Sequence, residues 1–138
     1  MHYVIYADGG SRGNPGPAGS GAVIRDASGA TVAAVSEFLG TTTNNVAEYT
    51  AVLRALETLA SALGDAAKDA EVLVRMDSML VVRQMAGEWK VKHENMKPLH
   101  AAASVAKRAF RSVRFEHVYR DQNKDADRLA NEAMDNAS

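Results

Sequence analysis

Apolar positions along the chain recur with two different periods, and the switches between them mark its elements. Tyr3 to Ala7 is a short apolar, β-prone run that stops at Asp8-Gly9-Gly10, which reads as a buried strand entering a loop. That loop, Gly9 to Gly21, is dense in Gly and Pro. Gly21 to Arg25 and Thr31 to Val35 flank Asp26-Ala27-Ser28-Gly29, a hairpin turn with Gly where a positive φ is expected, so three antiparallel strands open the chain. From Asn44 onward, Val46, Tyr49, Val52, Leu53, Leu56, Leu59, Ala60 and Leu63 keep the three-and-four spacing of an amphipathic helix, capped by Thr43 or Asn44 and stopped at Gly64.

The second half repeats strand then helix. Glu71 to Met76 predicts a fourth strand, and Asp77-Ser78 opens a helix through Met85. After a Lys-rich connection come a helix from about Pro98 to Phe110, a strand from Val113 to Tyr119 and a helix from about Asn123 to Met134. A hairpin meander followed by crossovers demands antiparallel and parallel pairs together, hence an α/β fold with a five-stranded mixed sheet flanked by helices. The order of elements alone does not fix the central strand. With no repeat or linker, residues 1–138 read as a single domain.

Composition narrows the function classes. The chain is 46% apolar and 24% charged, which suits a packed core and not a disordered or fibrous chain. Cys is absent, which removes disulfides, thiolate nucleophiles and Cys-based zinc sites, and the four His have no zinc-like spacing. No apolar run suffices for a membrane span and the first residues do not resemble a signal peptide, so a cytoplasmic protein is expected. Net charge is −1, yet residues 89–120 hold eight Lys and Arg against two Glu. That stretch is basic by six charges while the rest is acidic, a local asymmetry suited to an anionic partner.

Four acids stand out against this background. Asp8 and Asp77 each sit where an apolar strand gives way, the place where α/β sheets display functional groups, although Asp at such junctions is also an ordinary turn or cap residue. Glu48 lies on the apolar stripe of its helix with Val52 and Leu56, and a carboxylate turned inward needs a partner. Asp127 borders the stripe Ala126, Leu129, Ala130 and Ala133 of the last helix. Four converging carboxylates repel one another unless cations neutralise them, and oxygen-only ligands select hard ions such as Mg²⁺ or Mn²⁺. Two such ions suit phosphoryl displacement without a protein nucleophile, so nuclease chemistry is the natural reading.

Asp8-Gly9-Gly10-Ser11-x-Gly13-Asn14-Pro15-Gly16-Pro17, Thr42-Thr43-Asn44-Asn45-x-x-Glu48, Met76-Asp77-Ser78 and Asn123-x-x-Ala126-Asp127-x-Leu129-Ala130 together resemble the signature segments of type I ribonuclease H, in order and nearly end to end. The resemblance implies a ribonuclease H-like fold with sheet order 3-2-1-4-5. It also implies an endoribonuclease that hydrolyses the RNA strand of RNA/DNA hybrids and leaves 3′-hydroxyl and 5′-phosphate ends. By the same resemblance Asp8 bridges two Mg²⁺ ions, with Mn²⁺ as a substitute. Asp127 helps hold the ion at the attacking water, and Glu48 with Asp77 hold the ion at the leaving oxygen. Glu48 also contacts 2′-hydroxyls, the group that separates RNA from DNA.

Gly9, Asn14, Asn44, Asn45, Ser78 and Asn123 are implied substrate contacts, and Trp89 with Lys90 and Lys92 forms an aromatic and cationic seat for the DNA strand. The Asn residues also have plain turn and cap roles, and Trp89 has a core reading. Two departures from the family pattern stand out. The short connection from Lys90 to Pro98 leaves no room for the basic helix that many relatives insert, and Tyr119 to Asn123 lacks the His that often precedes the last Asp. Both resemble archaeal-type and some actinobacterial members. Arg120 is the candidate replacement for that His, and since guanidinium does not act as an acid at ordinary pH its expected role is electrostatic. A P-loop is excluded, because the Gly-rich segment lacks a Gly-Lys-Ser/Thr ending and leads into a strand. A silent hybrid-binding module is disfavoured by the four acids, and a purely DNA-directed enzyme by the Asn cluster. A monomer is expected, with fusion to another domain in a longer chain left open.

Overall fold

In a computed structural model describing residues 1–137, the strands β1 (His2–Ser11), β2 (Gly16–Asp26), β3 (Thr31–Thr42), β4 (Glu71–Met76) and β5 (Ser112–His117) form one sheet in the order β3-β2-β1-β4-β5. β1, β2 and β3 pair antiparallel, while β1 with β4 and β4 with β5 pair parallel. The helices are α1 (Asn44–Leu63), α2 (Met79–Met85), α3 (Lys97–Ala106) and α4 (Lys124–Asp135). Fold class and strand order follow the expectation.

The first three strands run longer than the sequence pattern predicts. β1 continues through Asp8, Gly9 and Gly10 to Ser11, β2 begins at Gly16, and β3 reaches Thr42, so the expected loop from Gly9 to Gly21 shrinks to residues 12–15. The glycines that read as turn signals are demanded by packing instead. A Cβ on Gly9 would stand 2.2 Å from the Ala47 carbonyl carbon in α1, and one on Gly21 would stand 2.4 Å from the Ala126 carbonyl oxygen in α4.

Alternation along β2 separates the two faces of the sheet. The Ser20 hydroxyl donates to the Ala47 carbonyl at 2.6 Å on the α1 side, while Gly19 and Gly21 press against α4 on the other. The larger core lies on the α1 side, where Ile5, Ile24, Val52, Leu56, Leu59, Val74 and Met76 are buried. Thr43 caps α1, its hydroxyl accepting from Val46 N, and Gly64 ends the helix with φ of 56°, as the sequence predicts. α4 has a different seam, in which Ala126, Ala130 and Ala133 let its backbone close onto the glycines of β2. No helix among the described residues is long and apolar enough to cross a membrane.

Candidate active site

β1 pairs with β4 only as far as Tyr6 opposite Arg75, then continues beside β2 alone. A cleft therefore opens on the β4 side just where Asp8 begins. Asp8 is not at the strand's end, as its sequence suggests, but in pair with Gly21 within it. It is nonetheless two residues past the last β1–β4 pair, at the point where the sheet's neighbours part company. Gly9 faces α1, so Asp8, one residue earlier, faces α4.

The other three acids are brought to this cleft by different elements. Asp77 follows the last residue of β4 and precedes Ser78, whose hydroxyl caps α2 by accepting from Val81 N at 3.3 Å. Asp127 stands in the first turn of α4, carried there by the close approach of Ala126 and Ala130 to Gly21. Glu48 falls in the second turn of α1, no acid occupying the first, so the helix dipole does not account for its placement. The bare Gly9 lets the Glu48 backbone come up against β1; its nitrogen would lie 2.4 Å from a Cβ there. Asp8, Glu48, Asp77 and Asp127 line one groove of about 300 Å³, together with Gly9, Asn44 and Arg120.

Electrostatics in the groove run as like charges in a partly dry place must. Burial raises the Asp8 carboxyl to a pKa of about 8, reinforced by the charge of Asp77 and by a hydrogen bond with Asp127. Burial raises Glu48 to about 7, with Asp77 adding to the rise and the Ser78 hydroxyl opposing it. Among the described residues, no three acids or His are gathered tightly enough to enclose one ion. The acids meet in pairs instead, Asp8 with Asp77 and with Asp127, and Glu48 with Asp77. That donor set fits Mg²⁺, which is usually held by one or two carboxylates and completes its shell with water and substrate phosphate. Cations would also relieve the repulsion that raises the two pKa values.

Several expected substrate contacts prove to have structural partners. Asn44 Oδ1 accepts from Ser11 N at 2.7 Å and Asn14 Oδ1 accepts from Asn44 N at 3.1 Å, so these two amides clamp the glycine-rich loop onto the start of α1. Asn44 still lines the groove, whereas Asn14 and Asn45 do not. Asn123 departs furthest from expectation. It is 1% exposed, and its amide donates to the Ala7 carbonyl at 2.9 Å, which ties the start of α4 to the backbone beside Asp8. An Asn in a helix-start motif reads equally as polar reader or as buried tie, and only the packing distinguishes them.

Arg120 lies in a short 3₁₀ turn, 78% exposed at its side chain, with Nη2 3.5 Å from Asp127 Oδ1. Trp89, Lys90 and Lys92 are not brought to the acids. They line a separate depression with Leu80, Gln84 and His93, and Trp89 is 48% exposed there, which removes its core reading. Gln84 braces this segment, donating to the Lys90 carbonyl at 3.1 Å and accepting from Tyr49 Oη at 2.5 Å. Sequence reading missed Gly19 and Gly21, which seat α4, and Arg12, which lines the groove. Small residues every second position in β2, facing alanines on α4, were the signal for the first two.

The model of the reverse transcriptase-like family matches residues 6–133. The bifunctional protein Rv2228c of Mycobacterium tuberculosis is 52% identical over 141 residues, a match that takes in all of this chain but only 37% of that protein. Ribonuclease HI of Halobacterium salinarum is 39% identical over 132 residues, or 96% of this chain and 64% of that one. The chain thus spans between about a third and two thirds of the length of these relatives. The crystal structure of LC11-RNase H1 in complex with RNA/DNA hybrid matches with a TM-score of 0.91 and 50% identity, covering 96% of each chain. A family match across nearly the whole sequence, agreeing with the sheet order and with acids converging at the parting of β1 and β4, means that the chain belongs to the reverse transcriptase-like family as a type I ribonuclease H.

Proposed function

We propose that residues 1–138 form one catalytic domain that hydrolyses the RNA strand of RNA/DNA hybrids, leaving 3′-hydroxyl and 5′-phosphate ends. The observation that carries this reading is the meeting of Asp8, Glu48, Asp77 and Asp127 in one groove, with burial and like charge pushing Asp8 and Glu48 toward neutrality. The hybrid bound by LC11-RNase H1 supports the substrate class. Asp8 with Asp127 would hold one Mg²⁺ or Mn²⁺ ion, and Glu48 with Asp77 a second, water and substrate phosphate completing each shell. When bound, such ions supply Lewis-acid stabilisation of the phosphoryl oxygens and favour a nucleophilic water at neutral pH.

The chain's own groups do the positioning. Ser78 caps the start of α2 next to Asp77, and its hydroxyl favours the charged form of Glu48. Asn44 presents a polar edge to the groove while its amide oxygen secures Ser11, placing a rigid backbone where the ribose 2′-hydroxyl is read. Arg120, exposed and loosely paired with Asp127, swings to the phosphate that bears the developing charge. Trp89, Lys90 and Lys92 seat the DNA strand in their own depression.

The test is cleavage of an end-labelled RNA/DNA hybrid with Mg²⁺ or Mn²⁺, beside an Asp77→Asn variant. Cleavage of the RNA strand by the parent, lost by at least about a hundredfold in the variant, is expected. No cleavage by the parent, or equal cleavage by both, overturns the reading.

A further inference from the structure

The groove does not end at the four acids. It runs on between the glycine-rich loop and α4, where Gly10, Arg12, Ala130, Asn131 and Met134 form its walls. Arg12 supplies the guanidinium in this extension, as Arg120 does beside Asp127.

The Arg12 guanidinium is held by one of its nitrogens. Nη2 is 2.6 Å from Asp135 Oδ1, and 3.4 and 3.5 Å from the side-chain and backbone oxygens of Asn131. Its Nε and Nη1 make no hydrogen bond to protein among the described residues, and the side chain is 47% exposed. A guanidinium carries five N–H donors, so most of its fork is left for an anion. Asp135 stands in the last turn of α4, where the helix dipole disfavours a negative charge. Orienting Arg12 gives that acid a reason to be there.

The loop itself does not need the Arg12 side chain. Its backbone is closed by Arg12 N donating to the Pro17 carbonyl at 2.8 Å, and it is fixed to α1 through Ser11 N with Asn44 and through Asn14 with Asn44 N. A tether would be redundant. A phosphodiester strand lying across the four acids, by contrast, presents a further charge one nucleotide from the reacting phosphate, beyond the acids and their cations.

We propose that Arg12, oriented by Asp135 and Asn131, is a substrate-binding residue that takes a phosphate of the RNA strand neighbouring the one that is cut. This inference rests on the hybrid-cleaving reading above. It makes the groove's extension a subsite for the flanking nucleotide.

Steady-state cleavage with Asp77 intact, and hybrid binding in the Asp77→Asn background, test it together. Arg12→Ala should raise KM about five- to tenfold with kcat within about twofold, and lower the salt dependence of hybrid binding by about one phosphate contact. Arg12→Lys should recover part of the loss. Asp135→Ala, which leaves the guanidinium and its charge in place but loosens its orientation, should raise KM by about two- to threefold, clearly less than Arg12→Ala does. One neutral methylphosphonate moved along the RNA strand should find a single position at which the parent and Arg12→Ala bind equally. If Asp135→Ala raises KM as much as Arg12→Ala, or no methylphosphonate position removes the difference, Arg12 is only a tether and the proposal falls. Normal hybrid binding with Arg12→Ala indistinguishable from the parent overturns this inference alone, whereas no hybrid binding by the parent overturns the functional reading as well.

Discussion

Asp8 is 8% exposed and shares its surroundings with two other carboxylates. Its folded pKa of about 8 lies above the ordinary value of 3.8, and that of Glu48, about 7, lies above 4.5. For a raised group the stabilising contribution is fully present below the unfolded pKa and is lost as pH rises through the folded one. Metal-free protein should therefore lose stability between about pH 4 and pH 8 from these two acids. Asp8→Asn should melt higher than the parent in EDTA at pH 8, by about 1 kcal/mol or more, with the gap closing toward pH 4. Thermal denaturation at the two pH values checks this, and a variant less stable than the parent at pH 8 would contradict the burial argument. Arg120 is judged by kinetics instead. Arg120→Ala should lower kcat about tenfold without changing the shape of the pH profile, because guanidinium does not titrate in that range. An unaltered kcat would remove its role.

At the scale of elements, the position of Asp127 depends on how closely α4 can lie against β2. Gly21→Ala would drive a methyl group to 2.4 Å from the Ala126 carbonyl and 2.5 Å from Ala130 N, both backbone atoms that cannot step aside alone. The expected cost is about 1–3 kcal/mol, with kcat falling at least about tenfold as α4 shifts Asp127 away from Asp8. Gly10→Ala, whose added carbon meets nothing nearer than the Met134 methyl at 3.8 Å, should be close to neutral in stability. Chemical denaturation of the two variants gives the comparison. The same seam explains what could be read from the sequence and what could not. α1 was legible from cap to stop because its periodicity and its capping residues agree. The strands were placed correctly but cut short, because Gly9, Gly19 and Gly21 carry the composition of a turn while serving a close approach. Composition alone does not separate those two uses.

Across the whole molecule, the four acids were legible because each belongs to a motif, whereas Asn123 and Arg12 were not. Asn123 matches its motif but turns inward to Ala7, and Arg12 stands at the one position of the segment from Asp8 to Asn14 that the motif leaves open. Nothing in a linear string reveals that α4 returns beside that segment with Asn131 and Asp135. Trp89 shows the limit from the other side, since its residue type and basic neighbours point to a nucleic-acid contact but its distance from the acids appears only in three dimensions. The parting of β1 from β4 beyond Tyr6 has one more consequence. Asp8 and Glu48 come from before the exposed turn at Gly64–Asp69, Asp77 and Asp127 from after it, and the central pair of strands joins one half to the other. Neither half of the chain owns the chemistry. On the proposed mechanism, cleavage of the hybrid would report complete assembly, and forms in which those two strands have not paired should be silent.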